Sequence, residues 1–383
     1  MRPCSSSESP VSLNYSGPKF LNGIALLRAI AVLFVMYAHL VGQNQYVILW
    51  PKQLLTEYFF EPLNIVQHGG ALGVAIFFLV SGYIIPYVAQ HETFKEFALK
   101  RFFRIYPPFL FSILFIAAAF ILLAFLKVKT YGFMSSEHFI PKNIILSASL
   151  TNYFFQIKNI NSVAWTLAIE ILFYVWISLI LGVLFKRPPF AILVTFTSSV
   201  LLLGSKVLFN FQGELVNCFM FICFMFLGTL IYLRQAGLIS RLHLVFWTAL
   251  FWILFLYHVD LHVVPPAPQY ETPGYAASYG LAYLIFVLAV FFEPRIRLGP
   301  IFKFISDRSY SIYLFHGTIG VFLIGSLYAI IGIHLTLILA FSAIFLCCHL
   351  AYKFVEKPSQ VLARKLLGRT DSNSLSRSVV KDV

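Results

Sequence analysis

The sequence predicts an all-α protein, a polytopic bundle of about ten transmembrane helices with both termini in the cytosol. Two features of the composition lead to this fold class. Of the 383 residues, 60% are hydrophobic and only 11% are charged, which gives a mean hydropathy of +0.84. Water-soluble domains do not have this balance, because they need many charged side chains at their surface. A third feature is that the apolar residues fall into runs of about 20, the length that crosses a bilayer.

Ten apolar runs mark the predicted spans, and breaks with polar residues, Pro or Gly separate them. We place them at residues 22–42, 72–90, 109–126, 166–185, 190–208, 217–233, 243–257, 276–292, 310–331 and 334–355. The fifth is the weakest, because it contains Lys206 and a run of Ser and Thr. Residues 1–20 are polar and rich in Pro and Ser, which predicts a disordered lead-in. We expect the transmembrane domain to cover 21–358, with a basic cytosolic tail at 359–383.

The charges in the loops predict the orientation. With the N-terminus in the cytosol, the four inside loops carry twelve Lys and Arg residues, whereas the outside carries six. Because Lys and Arg collect in cytosolic loops, this difference favours ten spans with both ends inside. The same rule explains the net charge of +13 without a nucleic-acid partner.

The five Cys residues show no metal-ligand spacing, so we expect neither a disulfide nor a metal site.

Arg28 and His39 lie in the first span with ten residues between them. Eleven steps of about 100° make three turns plus about 20°, so both side chains project from nearly the same helix face, roughly 16 Å apart. A charged residue within a span is by default a hypothesis of function. The alternative is that His39 only forms a hydrogen bond between helices.

Glu170 is an acid within the fourth span, near its predicted outer end, and therefore at a depth similar to that of His39. A carboxylate beside an imidazole selects its tautomer, which suits a general base. The alternative is that Glu170 pairs with Arg28 or with a backbone group and stabilises the bundle.

Arg101 and Arg104 precede the third span and are three residues apart, so they share one helical face and can bind phosphate at two points. The alternative is an ordinary positive anchor on the cytosolic side.

Ser81 and Gly82 lie within the second span. A Ser-Gly pair there indicates close packing or a kink, and it can also leave backbone groups free to face a ligand.

Six segments together resemble the membrane acyltransferase family 3, the integral-membrane O-acyltransferases that modify bacterial surface glycans and other acceptors. They occur in the family order and cover 22–358: Arg28-x10-His39, FFLVSGYII at 77–85, KRFFRIYP at 100–107, WTLAIEILFY at 165–174, SYSIYLFH at 309–316 and VEKP at 355–358. The resemblance implies catalytic roles for Arg28, His39 and Glu170. The residues that we expect to bind acyl-CoA are Arg101, Arg104, Ser81 and Gly82.

The resemblance further implies transfer of an acyl group, acetyl above all, from cytosolic acyl-CoA to a hydroxyl of a cell-surface or lipid-linked glycan, such as O-antigen or exopolysaccharide. Acetyl-CoA is then a donor substrate, and no cofactor is bound permanently. The expected location is the bacterial cytoplasmic membrane. The expected partners are acyl-CoA, the glycan acceptor, the lipid bilayer and, as candidates, glycan-assembly proteins.

Some relatives carry a fused esterase domain, and none follows the last motif here, so we expect this chain to act alone or to pass its acyl group to a separate protein. The outer loops 43–71 and 127–165 are rich in residues that can meet sugars. The residues do not distinguish direct transfer from an acyl-histidine intermediate. Two alternatives stay open: a glycan flippase or secondary transporter, and a structural partner in an export complex.

Overall fold

A computed structural model describes residues 21–44, 47–125, 136–152, 154–155, 157, 159–209, 214–261 and 272–368. Most of these residues are helical, and no strand occurs among them. Within them, ten helices are long and apolar enough to cross a membrane. The predicted fold class is therefore confirmed. The predicted lead-in at 1–20 and residues 369–383 of the predicted tail lie outside the described residues.

The helices follow one another with short connections. Their bounds are α1 Asn22–Tyr37, α2 Trp50–Leu55, α3 Gly70–Ala89, α4 Phe94–Phe125, α5 Pro141–Ala148, α6 Ala164–Lys186, α7 Pro188–Phe209, α8 Glu214–Gln235, α9 Arg241–Leu261, α10 Thr272–Phe291, α11 Pro300–Asp307, α12 Ser309–Ile331, α13 Ile333–Ala351 and α14 Lys357–Leu366. Single π turns extend three of them, at Ala38–Gly42, Thr56–Phe60 and Tyr352–Glu356. Short 3-10 turns lie at Val66–Gly69, Ser136–Phe139 and Glu293–Arg295.

The predicted spans agree with these helices to within a few residues, except the third. The weak fifth span is a complete helix, Pro188–Phe209. The third begins at Phe94, not at 109, because α4 continues through Pro107 and Pro108. The predicted span begins only after the two prolines, since proline removes a backbone donor and clashes with the preceding turn.

Contacts from other helices stabilise the proline-containing part of α4. Proline at 107 leaves the carbonyl of Phe103 without its intrahelical donor. The hydroxyl of Ser359, on α14, donates to that carbonyl at 2.8 Å. The hydroxyl of Tyr310, on α12, donates to the carbonyl of Ile105 at 2.9 Å. The turn between Phe103 and Pro107 therefore stays helical.

The start of α1 is capped from a distant part of the chain. Leu21 at the N-cap provides no side-chain cap. Instead, the backbone N–H of Gly23 donates to the Glu293 carboxylate at 2.6 Å. A carboxylate at a helix N-terminus satisfies unpaired N–H groups and interacts favourably with the helix dipole. Glu293 therefore connects the beginning of α1 to the segment after α10.

Helix α3 lies at the centre of the bundle and packs against α1, α8 and α10. At its crossing with α8, a β-carbon on Gly82 would overlap the carbonyl of Met225, and one on Gly228 would overlap the carbonyl of Leu79. The hydroxyl of Thr229 donates to the Gly82 carbonyl at 2.7 Å. Two glycines thus permit the close approach of the two backbones, as is typical of packed helices in membranes.

We expect Gly82→Ala to destabilise the protein by about 1–3 kcal/mol or more, because its methyl group would collide with backbone that cannot move aside alone. Thermal unfolding in detergent would measure the loss. Gly182→Ala is the matched control, since a β-carbon at this α6 position meets no described atom within 4 Å. Equal melting temperatures for the two variants would contradict this packing role.

Burial raises the pKa of Glu293, although the N–H groups of Gly23, Asn22 and Ile24 oppose the shift. A raised pKa means that the folded protein favours the protonated acid, so the stability of the wild type relative to Glu293→Gln should rise as the pH falls from about 8 to about 5. Melting temperatures of both proteins across this range would test it. A difference in melting temperature that stays constant with pH would contradict it.

Glu293→Ala, which removes the cap, should lower the free energy of unfolding by about 0.5–2 kcal/mol.

Candidate functional site

Helices α1, α3, α4, α6 and α12 surround a cavity of about 860 Å³, counting the space at its open mouth. Its apolar lining is interrupted by ten polar or charged residues that come from all five helices. These are Arg28, Ser81, Arg101, Arg104, Thr166, Glu170, Tyr174, Ser309, Tyr310 and Tyr313. Five of the seven predicted site residues therefore line one cavity.

Arg28 reaches the cavity from α1. Its Nη2 donates to the hydroxyl of Ser309 at 3.0 Å, and Ser309 itself is buried. Ser309 is the first residue of α12, so this bond connects the second turn of α1 to the first turn of α12. The guanidinium has five N–H donors, and the residue also lines the cavity.

Glu170 is held by neutral donors. Its Oε1 accepts hydrogen bonds from Ser81 at 3.2 Å and from Tyr174 at 2.5 Å. Within the described residues, neither a hydrogen bond nor an ion pair joins Glu170 to His39 or to Arg28. The structure therefore places the predicted Glu170–His39 pair apart, because the carboxylate is turned toward α3 and not toward the end of α1.

Arg101 and Arg104 lie on one face of α4, as their spacing predicts, and both line the cavity. Arg101 is only 7% exposed, and its Nε has no hydrogen-bond partner in the described part of the chain. Its guanidinium lies 5.5 Å from the centre of the Phe97 ring. A buried cation with an unsatisfied donor is costly unless an anion pairs with it. This end of the cavity therefore fits a negatively charged ligand.

His39 lies outside the cavity, in the π turn that continues α1. The N–H of Gln43 donates to the carbonyl of Ala38 at 2.8 Å, an i→i+5 bond that widens the helix at this point. Such π turns frequently occur at functional sites. The His39 ring packs against His316 of α12, with ring centres 5.1 Å apart.

Tyr313 separates His39 from the cavity. It lines the cavity, shares a 2.8 Å hydrogen bond with Thr166 and lies 6.0 Å from the His316 ring. His39 is therefore about one helical turn beyond the end of the cavity that lies away from Arg101 and Arg104.

Arg28 meets the start of α12 and His39 meets its third turn, so α1 and α12 run parallel. This agrees with their predicted positions as odd-numbered spans.

Gly82 does not line the cavity. It lies at the crossing of α3 and α8, where a side chain would overlap the backbone of Met225. Its neighbour Ser81 faces the opposite side and contacts Glu170. Of the predicted Ser-Gly pair, only the serine is placed to meet a ligand.

A strained turn lies beside the π turn that carries His39. Gln67 and His68 have φ values of 56° and 49°, and Gly69 follows at 84°. Non-glycine residues in this left-handed region are rare and cluster at functional sites. His68 packs directly on Gly42, and the Gln43 side chain donates to the Gln67 carbonyl at 3.2 Å.

Sequence reasoning missed three residues of α12. Ser309, Tyr313 and His316 are spaced by four and three residues, so they share one helical face. That face meets Arg28, the cavity and His39 in turn. All three lie in the SYSIYLFH segment, and their helical spacing was the signal that could have found them.

Another residue that sequence reasoning missed is Glu356, which ends the π turn after α13. It is 3% exposed and accepts a hydrogen bond from Ser311 at 2.5 Å.

Among the described residues, no group of three His, Cys, Asp or Glu side chains is placed to hold a metal ion.

Comparisons with known proteins agree with this architecture. The family model described as an acyltransferase domain matches residues 21–353. A protein of Staphylococcus aureus strain COL named "Putative O-acetyltransferase" is 25% identical over 90% of this chain and 58% of its own length. The O-acetyltransferase OatA of S. aureus strain NCTC 8325 is 24% identical over 89% of this chain and 57% of its own length. The chain thus spans somewhat more than half the length of these relatives.

No solved structure was found to match the chain. The family model nevertheless covers nearly all of the described residues, including every helix that lines the cavity. It follows that this multi-pass membrane protein belongs to the membrane acyltransferase family 3.

Proposed function

We propose that the protein is a membrane O-acyltransferase of the bacterial cytoplasmic membrane. It would move an acetyl group from acetyl-CoA on the cytosolic side to a hydroxyl of a cell-surface or lipid-linked glycan. The observation that carries the proposal is a cavity with the guanidinium groups of Arg101 and Arg104 at one end, the Nε of Arg101 being unsatisfied among the described residues, and His39 one turn beyond the other end. The names of the S. aureus relatives support acetyl as the transferred group.

The charged end of the cavity suits the phosphates of CoA. Arg101 and Arg104 present two guanidinium groups on one helix face, and such groups bind phosphate oxygens with charge-assisted hydrogen bonds. Beyond them the cavity is lined mainly by apolar side chains, including Phe77, Phe78 and Val74. A thin, uncharged pantetheine arm fits such a lining.

His39 would act on the thioester carbonyl that the arm delivers. In direct transfer, its imidazole takes the proton of the acceptor hydroxyl while the oxygen bonds to the acyl carbon. The carbon–sulfur bond then breaks, and the CoA thiolate receives that proton from His39. In the alternative route, an imidazole nitrogen attacks the acyl carbon, the carbon–sulfur bond breaks and CoA leaves as its thiolate. The acceptor oxygen then attacks the same carbon, the carbon–nitrogen bond to His39 breaks, and the hydroxyl proton that is released balances the thiolate.

The acceptor would approach His39 from the side of residues 43–71. The strained turn at Gln67 and His68 lies there, with amide groups close to the π turn that carries His39. This supports the expectation that this loop contributes to acceptor selection. Of the second expected loop, residues 127–135, 153, 156 and 158 lie outside the described residues.

Glu170 would shape the donor side of the site. Its carboxylate holds Ser81 and Tyr174 at the cavity wall and offsets part of the positive charge of Arg28, Arg101 and Arg104. This role differs from the direct support of His39 that the sequence suggested.

We expect His39→Ala to reduce release of free CoA from acetyl-CoA, with acceptor glycan present, by about 100-fold or more, the usual contribution of a general base. A thiol assay on purified protein in nanodiscs would measure it. The exposed His334 of α13 provides the matched control His334→Ala. Turnover that survives in His39→Ala, or glycan movement without CoA release in the wild type, would contradict the proposal and favour a transporter.

Arg101→Gln and Arg104→Gln should each raise the KM for acetyl-CoA by about 10- to 100-fold, because each removes a charge-assisted contact to phosphate. The KM for the acceptor should change far less. The exposed Arg241 at the start of α9 gives the control Arg241→Gln. Steady-state kinetics with both substrates varied would separate the two constants. An equal change in Arg241→Gln would show that only the general surface charge matters.

A further inference from the structure

His316 has one nitrogen that is satisfied and one that is not. Its Nδ1 lies 3.0 Å from the carbonyl of Ile312 and 2.9 Å from that of Tyr313. Carbonyl oxygens only accept, so Nδ1 carries the proton, and Nε2 of the neutral ring presents a bare lone pair. The residue is fully buried, and within the described residues Nε2 has no hydrogen-bond partner. A buried acceptor without a donor is rare and calls for an explanation.

The unpartnered nitrogen faces the neighbouring helix. The two nitrogens lie on opposite sides of an imidazole ring, so Nε2 points away from the α12 carbonyls that bind Nδ1. The ring that packs on His316 from another helix is His39, with centres 5.1 Å apart and planes at 55°. Two imidazoles joined by one N–H···N bond of about 2.9 Å have ring centres roughly 5 Å apart. The ring separation is close to that distance, although in the structure as it stands no hydrogen bond joins the two described rings.

The nitrogen of His39 on this side is Nδ1. It lies 3.8 Å from the position that a β-carbon on Gly317 would occupy, whereas Gly317 itself leaves this space open. His39 is partly exposed as a residue, and a small rotation of its ring would direct Nδ1–H toward the His316 lone pair.

We propose that His316 is the positioning residue for His39: its Nε2 accepts a hydrogen bond from Nδ1–H of His39. This selects the tautomer in which Nε2 of His39 is free, and the inference rests on the proposed acyl transfer. In the reaction, Nε2 of His39 takes the proton of the acceptor hydroxyl as the new C–O bond forms. That proton then passes to the departing thiolate as the C–S bond breaks. His316 keeps its own proton throughout and stabilises the imidazolium of His39 through the hydrogen bond.

Three variants separate this role from simple packing. His316→Asn keeps a donor for the carbonyls of Ile312 and Tyr313 but loses the acceptor toward His39. His316→Gln places an amide oxygen near the position of Nε2, and His316→Phe keeps the ring volume without any acceptor. We expect kcat to fall about 10- to 100-fold in His316→Asn and His316→Phe, as on loss of other groups that orient a functional histidine. His316→Gln should recover part of it, and the KM for acetyl-CoA should stay within about 2-fold of wild type, since His316 lies outside the donor cavity.

A tautomer measurement tests the contact without relying on turnover. Nitrogen-15 NMR of ring-labelled histidine in nanodiscs, assigned with His39→Ala, should show His39 protonated at Nδ1 in the wild type. His316→Asn should shift His39 toward the Nε2–H form, and the control His334→Asn should not. A His39 tautomer that does not respond to His316→Asn, or a kcat loss that follows the melting temperature across all three variants, would overturn the inference. A wild type that shows the tautomer but releases no CoA would instead overturn the proposed function.

Discussion

The parallel contact between α1 and α12 is the constraint on which the site depends. Polar groups within an apolar bundle must find partners on neighbouring helices, since neither lipid nor packed side chains can satisfy them. Arg28 meets Ser309 and His39 meets His316. Arg28 and His39 are separated by a rise of about 16 Å along α1, whereas Ser309 and His316 are separated by about 10 Å along α12. The long arginine side chain covers the difference. Glycine in α12 permits this approach, because a β-carbon on Gly320 would overlap Leu40.

The C-terminal helices stabilise the charged end of the cavity. Ser359 of α14 satisfies the Phe103 carbonyl that Pro107 leaves unpaired, and so keeps helical the turn that carries Arg104. Glu356, just before α14, accepts a hydrogen bond from Ser311 of α12, which lies two residues after Ser309. The VEKP segment therefore contacts a helix that is distant from it in the sequence. Together, Glu356 of this segment and Ser359 just after it contact α12 and α4, and these contacts help to set where the two guanidinium groups face.

A polar contact lies between the cavity that holds Arg101 and Arg104 and the pair of imidazoles. The cavity ends at the hydrogen bond between Tyr313 and Thr166, and the two imidazoles lie just beyond it. In the proposed reaction, the donor enters from the arginine side and the acceptor from the side of residues 43–71, so the two substrates meet at His39 from opposite directions. Such an arrangement would keep water away from the thioester until an acceptor hydroxyl is in place.

The sequence by itself determined what depends on local composition and period. Apolar run length predicted the ten spans, and the 3.6-residue period placed Arg101 and Arg104 on one face of a helix. The positions of Arg28 and His39 within one span followed from the same reasoning. Only the tertiary structure decided that Glu170 meets Ser81 and Tyr174, that Gly82 packs on Met225, and that His316 is the residue beside His39. The reason is that a contact between helices depends on the rotation of each helix about its axis and on which helices are neighbours, and hydropathy and spacing along one chain specify neither.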